Sequence, residues 1–363
     1  MSRIAVVYRV QSVLPTSPDD LTDGWLGDAL SAHDVDVVAV EITDVHEVTN
    51  THVRVHVTYA DASSVPADLF VKMPPLDPAR REAIAQTDMG RRESSFYSDL
   101  APSVRLRVPA CYATAFDPES CDFVIVLEDI VAGGCRISDG TVGVAPDSAA
   151  VALEELAHLH ARFDDPAVRD AEVPWVPRAK HASKYGERLL AIALDEHRDR
   201  LQDDFAELAR LYIERGDELQ ALWHSGPNTV IHGDPHLGNL FDDHGRTGFL
   251  DWGIVNVSSP MRDASYFLIM AMDIEDRRTH EEELLRHYLD VHNSLAATPI
   301  AFADAWRMHR EQAAYTVPAC CQIVVFPENI TEQRRVFSQA FLARAEAAVT
   351  DLDALGAVRA AGI

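Results

Sequence analysis

Three oxygen-bearing side chains, Asp234, Asn239 and Asp251, fall within one stretch, Val230 to Trp252, that reads VIHGDPHLGNLFDDHGRTGFLDW. The residues between them dictate how they are held. Thr229-Val230-Ile231 is a short apolar run. His232-Gly233-Asp234-Pro235-His236-Leu237-Gly238-Asn239 is too polar, and too broken by Gly and Pro, for any regular element, so it reads as a loop held by strands. Leu240-Phe241, a turn at Asp242-Asp243-His244-Gly245, and Thr247-Gly248-Phe249-Leu250 then read as a hairpin that returns Asp251 to the side of Asn239. Such a set suits phosphoryl transfer, where a protein aims a hydroxyl and holds magnesium and does little covalent chemistry itself. Asp234 is the residue to accept or orient the proton of the attacking hydroxyl. Asn239 and Asp251 are hard oxygen ligands for a Mg²⁺ that keeps waters and phosphate oxygens as its other ligands.

The spacing from Asp234 to Asn239 equals that of the protein-kinase catalytic loop, and Asp251-Trp252-Gly253 stands where kinases carry Asp-Phe-Gly. HGDxHxxN, a hydrophobic hairpin and DW, in that order, resemble the aminoglycoside phosphotransferase and choline kinase superfamily of kinase-like enzymes. Either short motif alone is a common accident; their order and setting make the case. A metal hydrolase ligated by His232 and His236 is the rival. Gly233 and Pro235 preclude the helix that would put this pair on one face, and no third His or Cys follows at zinc spacing. Both histidines therefore read as residues that fix the loop.

Composition bounds the remaining choices. A chain of 363 residues with 47% hydrophobic content has room for two lobes with a real core. Its apolar runs are shorter than a membrane span, and the opening Ile4-Ala5-Val6-Val7-Tyr8 is cut off by Arg9, too soon for a signal-peptide core. A cytoplasmic location is expected. The five cysteines form no CxxC pair, so free thiols are the simplest account. A formal charge of −26 argues against nucleic acid as a partner and permits a cationic substrate, although charge speaks to solubility before it speaks to ligand.

The elements that position these groups follow from periodicity. Thr22 or Asp20 caps a helix bearing Trp25, Leu26, Ala29 and Leu30. Val35 to Val40, Val45 to Val48, Val53 to Tyr59, Leu69 to Met73 and Phe123 to Leu127 read as strands of an antiparallel sheet. Lys72 interrupts one of these apolar strands; an edge position would explain it, as would a role on the phosphates of ATP. A helix from about Ala79 to Leu100 puts Glu93 on its core-facing stripe, where a carboxylate needs a partner. Lys72 is that partner. Glu82, on the same stripe, is explained by the helix dipole. The loop His46 to His52 stands where kinases cover the phosphates with glycine, but it has none; similar small-molecule kinases use Ser, Thr or Asn there, and that resemblance makes Thr49, Asn50 and Thr51 the donors.

The resemblance implies more than the pattern does. It gives Glu128 and Ile130 to adenine through their backbone, makes His160, on a helix from Asp147 to Phe163, a support for the catalytic loop, and gives Asp263 a bracing role at the cap of a helix from Ala264 to Ala271. Lys184 to Gly216 reads as one long helix, with another near Glu218 to Trp223, and the chain to about Leu355 as helical. The apolar run Ala314 to Phe326 suits core packing or a greasy pocket. Asp273, Glu275, Asp276 and Glu281-Glu282-Glu283 suit amino groups or a solvated face.

The expected fold is α+β and bilobal, like a protein kinase: a nucleotide-binding lobe over 1–127 built on an antiparallel sheet, a hinge at 128–134, and a larger, mainly helical lobe over 135–363 that carries catalysis and substrate. The expected activity is ATP- and Mg²⁺-dependent phosphorylation of a small-molecule hydroxyl. Leu21 to Leu26 before the sheet and Leu127-Glu128-Asp129 at the connector resemble the ecdysteroid-kinase-like branch, which points to a lipophilic alcohol; an antibiotic kinase and a pseudokinase without turnover are the alternatives.

Overall fold

The computed structural model describes residues 8–9, 13–178, 181–325 and 330–363. Ile4 to Val7 and Phe326 lie outside the described residues. The chain divides into two compact units, Met1–Arg136 with Gly248–Val255 and Ile137–Thr247 with Asn256–Ile363. Among the described residues, no helix is long and apolar enough to cross a membrane.

The first unit is built on a sheet in the strand order Tyr8–Arg9, Cys111–Phe116, Phe123–Glu128, Asp68–Met73, Thr51–Tyr59, Val37–Glu47. Its neighbours are antiparallel except for the first pair. Strand period sets its two faces. Val53, Val55, Val57, Leu69, Val71 and Met73 turn to one side, where Trp25, Leu26, Ala29 and Leu30 of the helix Asp23–Ala29 close over them. The Thr22 hydroxyl caps that helix by accepting the Trp25 N–H at 3.3 Å. Lys72 lies opposite His52 on one side and Ile125 on the other, so it sits mid-sheet and the edge explanation fails.

Two expectations about this unit change. The segments at 35–40 and 45–48 are one strand, Val37–Glu47, bent by register shifts at Val37/Ala39 and Ile42/Asp44. Periodicity saw a gap where a bulge sits. The expected helix from Ala79 to Leu100 is broken into Pro78–Ala85 and Met89–Ser95, with a π-helical turn over Phe96–Leu100. Asp88 breaks it by taking a left-handed backbone, φ 62°. Glu82, exposed on the first piece, thus shares no continuous stripe with Glu93.

In the second unit the short strands Thr229–Ile231 and Asn256–Ser258 pair antiparallel. Around them stand the helices Pro146–Arg162, Pro260–Ala271 and Ile274–Leu295, and Pro260–Ala271 is buried along its whole length. The expected helix from Lys184 to Gly216 is two, Lys184–Glu196 and Asp203–Trp223, and the second absorbs the one expected from Glu218. Val317, Cys320 and Val324 join the core with Leu208, Tyr212 and Trp223, so the apolar run beginning at Ala314 is packing. All five cysteines are free thiols.

Candidate active site

The loop after Ile231 is held from beneath by one buried carboxylate. Asp263 Oδ2 accepts the His232 N–H at 2.6 Å, and Oδ1 accepts the Gly233 N–H at 2.8 Å. His160 Nε2 lies 3.3 Å from the same carboxylate, its Nδ1 lies 2.8 Å from the Tyr288 hydroxyl, and its carbonyl accepts from Thr229 Oγ1 at 2.6 Å. Asp263 and His160 are fully buried. Burial alone would raise the Asp263 pKa, but the hydrogen bond and charge of His160, with the Gly233 N–H, hold it below its ordinary value. Toward the ionised carboxylate Nε2 of His160 is the donor. Asp263 braces the loop as expected, but the cap position belongs to Ser259, followed by Pro260, and Asp263 lies inside the helix Pro260–Ala271.

So anchored, the loop turns within itself. The Asp234 N–H donates to His232 Nδ1 at 3.2 Å, which ties His232 into the loop. Asn239 Nδ2 donates to the Asp234 carbonyl at 3.0 Å and to its Oδ2 at 3.2 Å. The donor half of the Asn239 amide is thereby committed, and Oδ1 is the half left to meet a cation. His236 Nε2 lies 3.5 Å from Asp234 Oδ2, whose side chain remains 31% exposed. His236 Nδ1 accepts the Gly238 N–H at 2.9 Å, so this ring too fixes the loop.

The first unit holds the second group. Lys72 Nζ lies 2.6 Å from Glu93 Oε2 and 3.4 Å from Asp251 Oδ1. Lys72 and Glu93 are buried, whereas the Asp251 side chain is 38% exposed. Burial opposes a charged lysine, but the Asp251 and Glu93 carboxylates outweigh it and hold the pKa above its ordinary value. Burial pushes the Glu93 carboxyl up to about 7, against the pull of Lys72 and with a further push from Asp251. Two carboxylates therefore share one ammonium, and Asp251 is the more exposed of the two. Its backbone is left-handed, φ 57°. The next residue, Trp252, stacks on Phe96 at 3.8 Å and 4°, which ties the Asp-Trp pair to the π-helical turn after Glu93.

The remaining candidates occupy more constrained positions. Asn50 is buried at the turn between Val37–Glu47 and Thr51–Tyr59, and its Oδ1 has no hydrogen-bond partner. The Glu128 N–H donates to the Ala110 carbonyl at 2.8 Å, and the Ile130 carbonyl accepts the Cys135 N–H at 2.9 Å. Arg107 grips the Glu128 carboxylate through both terminal nitrogens, at 3.0 and 2.9 Å. Among the acidic residues offered for amino groups, Glu281 is paired with Arg277 and Glu282 with Arg286. Sequence reasoning missed Tyr288, because an aromatic residue on an amphipathic helix carries the same signal as core. The reasoning that singled out Lys72, a charge among apolar neighbours, could have found Arg262, buried and donating to the Gly233 carbonyl at 3.3 Å.

Residues 47–298 match the model of the phosphotransferase enzyme family. None of the curated proteins matches the sequence. Among solved structures, a candidate aminoglycoside phosphotransferase from Ralstonia eutropha aligns over 91% of this chain and 97% of its own, at 14% identity and a TM-score of 0.53. A choline/ethanolamine kinase family protein from Mesorhizobium loti aligns over 89% and 92%, at 17% identity and 0.45. A macrolide 2'-phosphotransferase from Brachybacterium faecium aligns over 89% and 98%, at 15% identity and 0.48. The first of these likenesses supports a common kinase-like fold.

Proposed function

The chain belongs to the phosphotransferase enzyme family, and from that premise we propose that it moves the γ-phosphoryl group of ATP to a hydroxyl of a small molecule, with a lipophilic alcohol as the favoured acceptor. The observation that carries this reading is the buried Lys72–Glu93 pair with Asp251 beside it. A charge in the middle of a sheet costs the fold unless it is matched, and a lysine matched by two carboxylates is an ammonium held still for phosphate oxygens. Lys72 is the residue for the α- and β-phosphates, with Glu93 fixing its position. Asn50, buried in the phosphate-covering turn, is the candidate there through its amide N–H groups, its unpartnered Oδ1 being an acceptor that phosphate does not satisfy. The Ile130 N–H and the backbone of Glu128 are the groups for the adenine edge.

The Asn239 amide oxygen and the Asp251 carboxylate are the residues that would hold Mg²⁺, which would neutralise charge on the transferring phosphate; both are hard oxygen donors of the kind that suits an ion sharing its ligands with phosphate and water. Asp234 aims the acceptor. The acceptor oxygen forms a bond to the γ-phosphorus as that phosphorus parts from the bridging oxygen, the electron pair leaves with ADP, and the acceptor proton passes to Asp234. Asp263 and His160 keep Asp234 in place for this.

Asp234→Asn tests the assignment. Transfer, followed by nucleotide consumption across aminoglycosides, macrolides, sterols, sugars and choline, should fall by about a hundredfold or more. Stabilisation by Mg-ATP in a thermal-shift titration should persist, since the ligand still binds the folded state. Turnover retained by the variant rejects Asp234 as the base or orienter.

A further inference from the structure

We propose that Arg262 is a positioning residue for Asp234, its guanidinium fixing the peptide that leads into that residue; this rests on the phosphotransfer reading above. Arg262 stands in the first turn of the helix Pro260–Ala271 and is 6% exposed. Its charge is unfavourable there twice over. The N-terminal end of a helix dipole is positive and repels a cation. Burial removes water without supplying an opposite charge: among the described residues no carboxylate lies within ion-pair distance of Arg262, and its Nε has no hydrogen-bond partner. The neighbouring Asp263 is already committed to the His232 and Gly233 N–H groups and to His160. A neutral side chain of similar volume would fill the same space without either penalty. What the guanidinium does have is the face of Tyr315, 2.9 Å from the ring centroid, and the Gly233 carbonyl, to which Nη2 donates at 3.3 Å.

That carbonyl belongs to the peptide between Gly233 and Asp234. Gly233 has φ 91°, a region that glycine enters freely, so its own backbone restrains the chain least where Asp234 must be aimed. A peptide unit is planar, and holding both of its polar ends holds its plane. Here the carbonyl accepts from Arg262, and the N–H, that of Asp234, donates to His232 Nδ1 at 3.2 Å. The peptide before it is held through the Gly233 N–H by Asp263 at 2.8 Å. Consecutive residues of one helix thus take the acceptor and the donor of Gly233. Asp263 alone would leave the chain free to turn about the Gly233 dihedrals, and Arg262 removes that freedom. On the far side, Asn239 Nδ2 holds the Asp234 carbonyl at 3.0 Å and Oδ2 at 3.2 Å, so Asp234 is fixed from both directions. Arginine suits the task because its fork is planar, and the Tyr315 face keeps that plane in place.

The test compares the wild type with Arg262→Met and Arg262→Lys in the full chain. Arg262→Met keeps an apolar stem and removes a buried cation that has no carboxylate, so the melting temperature should hold or rise. Function should move the other way. Deuterium uptake by the amides from Gly233 to Asn239 should quicken about tenfold as the loop loosens. On whichever of kanamycin, erythromycin, estradiol, glucose and choline the wild type phosphorylates, kcat should fall about ten- to a hundredfold, with the acceptor KM and the stabilisation by Mg-ATP unchanged. Arg262→Lys keeps the charge and a donor without the planar fork, and should recover part of both losses. A melting temperature that falls in step with kcat makes Arg262 a structural residue and overturns the proposal, as do unchanged uptake or unchanged kcat in Arg262→Met. If Arg262→Met does not fold, Arg262→Lys decides: a lowered kcat at the native melting temperature upholds the proposal, and a wild-type kcat overturns it. If the wild type uses none of the five compounds, uptake and melting decide. Failure of the phosphotransfer reading looks different: Mg-ATP would then neither stabilise the wild type nor be consumed, while deuterium uptake would still report whether Arg262 holds the loop.

Discussion

Replacing Asp263 by Asn isolates the interaction on which the loop geometry depends. The native carboxylate is fully buried and serves the His232 N–H at 2.6 Å, the Gly233 N–H at 2.8 Å and His160 Nε2 at 3.3 Å. Asparagine has one oxygen and two hydrogens in the same space, so it leaves at least one buried donor unmatched and sets one N–H against another. Orphaning a buried donor costs about 1–3 kcal/mol, and breaking a buried charged partnership about 3–5 kcal/mol. A loss of about 3–5 kcal/mol in urea denaturation at pH 7 is expected, with slack in the loop that carries Asp234 and a fall in turnover at unchanged Mg-ATP stabilisation. The pH dependence gives a second check. The native Asp263 pKa lies below the ordinary 3.8, so its contribution is complete above 3.8 and is lost as pH falls through the lower native value. The gap between wild type and variant should stay level from pH 8 to about 5 and narrow below about 4. A loss under about 1 kcal/mol, or a gap that widens in acid, would refute the bracing argument.

Two further outcomes test the first unit. Lys72→Met leaves Glu93, already pushed up to about 7, beside Asp251 without a cation. Glu93 then holds its proton to higher pH, the fold persists at neutral pH, and stability declines as pH rises through the raised pKa. Mg-ATP binding, followed by thermal shift, should weaken about 10- to 100-fold, the value of a charged hydrogen bond to phosphate; undiminished stabilisation would remove Lys72 from the nucleotide site. Gly90→Ala places a methyl carbon 2.2 Å from Cδ1 of the buried Phe123 ring. The ring or the helix Met89–Ser95 must shift, and since that helix carries Glu93, the strain reaches the Lys72 pair. Overpacking of about 1–3 kcal/mol outweighs the better helix propensity of alanine, about 1 kcal/mol, so the melting temperature should drop; a rise would show that the ring yields freely.

What could be read in the sequence, and what could not, follows from what a one-dimensional pattern carries. Lys72 and Glu93 stand out because each is a charge in an apolar row, and such a residue must find a partner wherever the chain takes it. The HGDPHLGN segment stands out because no helix or strand tolerates it. Breaks inside apolar rows are nearly silent: Asp88 interrupts a helix whose hydrophobic spacing continues on both sides, and the bulges in Val37–Glu47 imitate a loop. The strand Cys111–Phe116 went unseen because Cys-Tyr-Ala-Thr-Ala-Phe has too few β-branched residues to announce itself. Tyr288 and Tyr266 are harder still. Both sit where an amphipathic helix would place any core aromatic, and only the neighbour each hydroxyl meets, or lacks, separates them: Tyr288 finds His160 at 2.8 Å, and Tyr266 finds nothing. A hydroxyl that completes a hydrogen-bond chain serves the fold, and one buried without a partner costs it. Partners, not residue types, distinguish the two tyrosines, and partners are what the fold adds to the sequence.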